Sequence, residues 1–107
     1  AFDRIHVSAF WIALGKLACK DKTWLQRHAE TIKSLQTIIL FVMPICDAKN
    51  CVNIAYGMAR AGMHNRQGTA VCNCFAAISE QALPLLTDFN AQDLANTVWA
   101  FSTAGHT

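Results

Sequence analysis

One stretch of this chain is written twice. Asp88–His106, reading DFNAQDLANTVWAFSTAGH, carries every mark of a complete helix. Asn90 can cap it, Asp93 three residues on is the reciprocal half of a capping box, and Gly105 supplies the stop. Leu94, Val98 and Phe101 fall on one face between those signals. Displaced by 43 residues, Ala48–His64 repeats the pattern: Asn53 lies on Asn96, Tyr56 on Trp99, Met58 on Phe101, and Ala61-Gly62 on Ala104-Gly105. Asp47 falls on the capping Asn90, and the small pair Gly57 and Ala59 on Ala100 and Ser102. Amphipathic helices resemble one another by chance, but chance does not readily repeat a mid-helix Asn, an aromatic three residues later and a terminal Ala-Gly. A looser third copy opens the chain, where Ser8-Ala-Phe-Trp11 parallels Asn96-Thr-Val-Trp99 and then slips by one residue. A tandem repeat with a period in the forties limits the fold sharply. One unit cannot bury its own apolar faces, but stacked units share a continuous core.

The remaining segments also read as helices. Asp3 opens a first helix that runs to about Cys19, with Ile5, Ala9, Ile12 and Ala13 on one side and Val7, Phe10, Leu14 and Ala18 on another. Apolar on nearly every side, it is expected to be the most enclosed helix, or one that meets a missing neighbour. Asp21 or Thr23 caps a second, from Trp24 to about Val42, with a stripe of Leu25, Ile32, Leu35, Ile39 and Val42, and Pro44 ends it. The third helix is the Ala48–Gly62 copy, and His64–Gly68 is the clear turn. Thr69 caps a fourth, whose buried stripe is Val71, Cys74, Phe75, Ile78 and Ala82, and Pro84 stops or kinks it. The fifth is Ala91–Ala104, and no segment alternates with the period of a strand. The expectation is an all-α right-handed superhelical stack of five helices in a single domain, 1–107. Its helix pairs would be two and a half repeats, approximately 1–46, 47–88 and an incomplete 89–107. The start at Ala1, directly in a helical pattern, and the unpartnered fifth helix suggest a piece of a longer chain.

FNAQDLANTVWAFSTAGH resembles a helix that recurs in organellar helical-repeat proteins, F-N-x-Q-x-L-A-N-x-x-W-A-F-A-x-x-G. These are the octotricopeptide-like and FAST-kinase-like (RAP-associated) repeat proteins, with the armadillo/HEAT-like domain of the RNA-editing substrate-binding complex. Phe89, Asn90, Gln92, Leu94, Ala95, Asn96, Trp99, Ala100, Phe101 and Gly105 carry the match. The resemblance implies an armadillo/HEAT-like α-solenoid that binds single-stranded RNA in a mitochondrion or plastid, as part of an RNA-processing, editing, stability or translation factor. The alternative class is a protein-binding scaffold of the same architecture, a subunit of an organellar assembly without direct RNA contact.

The charge balance is modest: nine Lys and Arg against seven Asp and Glu leave +2, short of the basic footprint of a strong nucleic-acid binder. The apolar run Ile38–Met43 is too short to span a bilayer, so no membrane partner is expected. Five cysteines without a C-x-x-C, and four scattered histidines, give no metal pattern and read as buried free thiols. No glycine-rich elbow or phosphate loop accompanies them, and all five glycines are read as closing helices or turns. The expectation is a chain with no catalytic residues, no metal and no cofactor.

Asn53 and Asn96 stand out, because Asn is unfavourable in mid-helix and a repeated unfavourable choice implies a repeated task. The preferred reading is an amide that satisfies backbone groups of a neighbouring helix or loop. The other is a ladder of amides that contact bases or an extended peptide. Tyr56 and Trp99 are read as core between helices rather than as stacking platforms for RNA. Lys16, Lys49, Arg60 and Gln92, with Asn53 and Asn96, are the candidate RNA contacts on the first, third and fifth helices and their preceding turns.

Overall fold

The computed structural model describes residues 3–21, 23–64 and 68–105. The fold is all-α, and its described residues contain no strand. Among the described residues six α-helices follow in order: α1 Arg4–Lys20, α2 Trp24–Arg27, α3 Ala29–Val42, α4 Ala48–Arg60, α5 Thr69–Ala82 and α6 Ala91–Thr103. Short 3-10 turns at Met43–Ile45 and Leu83–Asp88 follow α3 and α5. Each carries its proline, Pro44 or Pro84, where the missing N–H cannot extend the α-helix.

The helix ends follow the sequence signals closely. Asp3 Oδ1 accepts from the backbone N–H groups of Ile5 and His6. Asp47 with Asn50, and Asn90 with Asp93, both close full capping boxes. At the end of α4, Gly62 takes φ +94, a conformation that favours glycine. The Gly62 N–H bonds to the Ala59 carbonyl and that of Met63 to the Met58 carbonyl, which completes a Schellman stop over two buried methionines.

Two boundaries differ from expectation. The second helix is broken at His28 (φ −122, ψ 33) into α2 and α3. The His28 ring stacks on Trp24 at 4.2 Å, and its Nδ1 lies 2.9 Å from the Trp24 carbonyl oxygen, which also accepts from the His28 N–H at 3.1 Å. Thr23 makes no capping bond there. Asp21 instead accepts from the Thr23 N–H and hydroxyl and pairs with Arg27. Thr69 is the first residue of α5 rather than its cap, and Gly68 at φ +126 holds the cap position.

Packing is centred on α4, which lies against α1 and α6 and also touches α5, while α3 packs on α5. The three helices α1, α4 and α6 run parallel. Arg4 at the start of α1 meets Asp47 and Asn50 at the start of α4, and Lys49 there meets Asp93 at the start of α6. Trp11, Ile39, Ile54, Met58, Met63, Phe75 and Ile78 are the largest fully buried side chains of the shared core. The stripe on α5 is the expected one: Val71, Cys74, Phe75, Ile78 and Ala82 are buried. Only one side of α1 is enclosed. Val7, Trp11, Leu14, Gly15 and Ala18 are buried, while Ile5 and Leu17 are exposed.

The glycines correct the sequence reading. Gly15 and Gly57 close nothing; they lie inside α1 and α4 where the two helices cross. A Cβ on Gly15 would come within 2.8 Å of the Gly57 carbonyl oxygen, and one on Gly57 within 2.5 Å of the Trp11 carbonyl carbon. The looser third copy is corrected as well. The caps align Asp3 with Asp47, which brings Trp11 level with Ala55 instead of Tyr56. Trp11 is accordingly buried, at 1% exposure, and Trp99 is not, at 44%.

Candidate nucleic-acid interface

Lys49, Asn53, Tyr56 and Arg60 follow one another on α4 at steps of four, three and four, so they form one stripe on that helix. Gln92, Asn96 and Trp99 occupy the same register on α6. The two stripes adjoin, because the Tyr56 and Trp99 ring centroids are 5.2 Å apart with a 43° tilt. Cap alignment brings Lys16 of α1 level with Arg60, on a stripe otherwise made of Ile5, Ala9 and Ile12. The structure thus gathers Lys49, Asn53, Arg60, Gln92 and Asn96 on one surface, with Lys16 at its α1 edge.

The aromatic pair overturns its sequence assignment as core. Tyr56 is half-buried and Trp99 is exposed. The physical reason lies one helical position away. Gly57 lies against Trp11 where α4 meets α1, and Ala100 of α6, with Ala104 just beyond its end, is fully buried on the α6 side. Small side chains bring the helix axes close, which leaves the neighbouring large rings at the lip of the seam.

The asparagines also differ from their preferred reading. Asn53 and Asn96 are half-buried, and Asn96 Oδ1 accepts from Gln92 Nε2 at 3.0 Å on its own helix, not from a neighbour's backbone. The inter-helix task falls to Asn50, which sequence reasoning missed. Its Oδ1 accepts from Arg4 Nη1 at 2.8 Å and from the Asp47 N–H at 3.1 Å, and its Nδ2 donates to Ser8 Oγ at 3.3 Å. Its signal was present in the sequence, since Asn50 follows the capping Asp47 at box spacing.

A second latch joins α4 to α6. Lys49 Nζ donates to Asp93 Oδ1 at 2.6 Å, and the buried Asp93 carboxylate also accepts from the Asn90 N–H at 3.2 Å. The hydrogen bond from Lys49 holds the Asp93 carboxyl below its ordinary value of 3.8. Its stabilising contribution is therefore complete above the unfolded-state value and is lost as pH falls through the lower folded value. Asp93→Asn keeps a box-forming side chain, as Asn50 shows in α4, but removes the ion pair. A loss of about 1 kcal/mol is expected at neutral pH, allowing for the exposure of Lys49, and it should shrink towards zero in acid, once the pH lies below the lowered folded value. Urea unfolding at both pH values checks this; an equal loss at both would separate Asp93 from the ion pair. Lys49 is consequently engaged with Asp93, whereas Lys16 is an exposed cation and Arg60 is half-buried.

The remaining chemistry is quiet. Burial pushes the thiols of Cys46 and Cys74 up to about 11 and that of Cys51 to about 12, far from nucleophilic thiolates at neutral pH. Among the described residues, no group of three or more His, Cys, Asp or Glu side chains could hold a metal ion. No helix among them is long and apolar enough to cross a membrane. No family model, curated protein or solved structure matches the chain.

Proposed function

We propose that the chain is an RNA-binding module of a right-handed, armadillo/HEAT-like α-solenoid, with α1, α4 and α6 as equivalent first helices of successive pairs. It acts by binding, not by catalysis, within an RNA-processing, editing, stability or translation factor of a mitochondrion or plastid. One observation carries the reading: the half-exposed Tyr56–Trp99 pair sits between the amides of Asn53, Asn96 and Gln92 and the cations Arg60 and Lys16. Aromatic faces at a surface accept unstacked bases, amides offer donors and an acceptor to base edges, and flanking cations meet phosphates. Such a site needs no large net charge, which fits a chain of only +2.

The test is filter binding to a pool of single-stranded RNA. Trp99→Ala should weaken binding about 5- to 150-fold, the range of one lost base stack. The double exchange Lys16→Glu with Arg60→Glu should weaken all RNAs alike and flatten the salt dependence. Lys49 is left intact because its exchange would also break the contact with Asp93. Unchanged affinity in both variants would remove this face from consideration. The exposed apolar Ile5, Phe10 and Leu17 of α1 favour the second reading, a protein-binding scaffold. Capture of a protein partner by a chain that retains no RNA would decide for it.

A further inference from the structure

Two cavities on the α3–α5 side of the molecule join at one buried amide. The larger, of about 460 Å³, has walls from Leu25, Ala29, Ile32, Met63 and Val71, where α2 and α3 face the start of α5. The smaller, of about 330 Å³, has Thr37, Thr69 and Asn73 among its walls. Lys33 and Gln36 line both.

Gln36 is the informative residue. It is only 6% exposed, yet its amide is poorly satisfied. Its Nε2 donates to the Met63 thioether at 3.7 Å, a weak acceptor, and among the described residues no donor reaches Oε1. Buried amides are normally paired, so this one holds a donor and an acceptor ready at a cavity wall. Lys33 adds a cation: its Nζ stands 3.7 Å from Glu30 Oε1, and its side chain is 73% exposed. The first turn of α5 reaches the smaller cavity through Thr69 and Ala70, and Gly68 at the cap has no side chain to satisfy its N–H groups.

We propose that the joined cavities bind a nucleoside monophosphate. The apolar walls take the flat base, and the Gln36 amide meets a donor and an acceptor on its edge. The phosphate falls to Lys33 and the start of α5. A purely apolar ligand would leave the amide unpaired, and an anion alone would leave the larger cavity unfilled. The proposal stands independently of RNA binding, since α2, α3 and α5 carry none of the residues of the Tyr56–Trp99 face.

Calorimetric titration of the whole chain with adenosine, guanosine, cytidine and uridine monophosphate, each alone, tests this. At least one is expected to bind saturably, about tenfold or more tighter than its nucleoside or inorganic phosphate. Gln36→Leu keeps the bulk of the side chain without the amide, and should weaken that binding about tenfold or more. Lys33→Ala alters an exposed position and should erase the advantage over the bare nucleoside. Circular dichroism verifies both folds; if Gln36→Leu does not fold, Lys33→Ala decides. Trp99→Ala should leave nucleotide binding unchanged, and a loss there would move the nucleotide to the α4–α6 face and overturn the proposal. Absence of saturable binding, binding indifferent to Gln36→Leu or to Lys33→Ala, or inorganic phosphate binding as tightly as the nucleotide would overturn it too.

Discussion

Gly57→Ala is expected to destabilise the protein by about 3 kcal/mol, although alanine is the better helix former by about 1 kcal/mol. Gly57 lies inside α4 where α1 crosses it. The new methyl would sit 2.5 Å from the Trp11 carbonyl carbon and closer still to its oxygen. Those atoms are main chain, so no rotamer change can relieve the overlap. Relief requires α1 to withdraw from α4, and Trp11, buried at that crossing, would lose its packing with it. Set against a typical total of about 5–15 kcal/mol, the change threatens the fold of the whole domain. Gly15→Ala meets the Gly57 carbonyl oxygen at 2.8 Å, Gly57 Cα at 3.2 Å and Arg60 Cβ at 3.3 Å, looser than the Gly57 overlap, and should cost less. Urea unfolding orders the two variants. A Gly57→Ala protein as stable as the parent would mean that α1 and α4 do not cross at this distance.

The second large effect is expected at Phe75. Truncation to alanine empties a fully buried site and should cost about 3–5 kcal/mol. The loss will not be spread evenly. Phe75 meets Phe101 edge-on, with ring centroids 5.1 Å apart at 80°, and α6 has few other apolar anchors. Its buried residues are Asp93 and Ala100, with Ala104 just beyond its end, whereas α4 buries most of its length. Amide exchange in α6 should therefore accelerate before that in α4. Protection of α6 that stays level with α4 in the Phe75→Ala protein would contradict this account.

Local signals in the sequence anticipated local structure. The Asn90–Asp93 capping box, the cap at Asp47, the glycine stop after α4, the proline ends of α3 and α5 and the stripe of α5 are set by residues within a turn or two of each other. The misreadings concern groups that meet across helices. Nothing near Gly57 in the sequence distinguishes a glycine that closes a turn from one that admits the Trp11 backbone. Trp99 was assigned to the core because an aromatic on an amphipathic helix usually belongs there. Its exposure goes with the full burial of Ala100, its neighbour on α6. The repeated Asn53 and Asn96 drew attention by identity, while Asn50 did the inter-helix work with Arg4 and Ser8 from the first copy. The interruption of the helix at His28 falls where its ring stacks on Trp24, a side-chain contact that periodicity does not register. The candidate surface was legible as a set of residues, but its two stripes became one face only once α4 and α6 lay parallel.

The buried thiols give the molecule internal reporters of its own opening. With a pKa near 11, a thiol such as Cys74 is about one part in ten thousand thiolate at neutral pH, and burial also shuts out a reagent. Alkylation of Cys46, Cys51 and Cys74 thus proceeds through transient separation of the helices around them, while the exposed Cys19 reacts directly from the closed state. The ratio of slow to fast labelling in a single sample converts to an opening free energy without any denaturant. Because Cys46 and Cys51 flank the start of α4 and Cys74 lies within α5, the three rates compare how readily different parts of the core come apart.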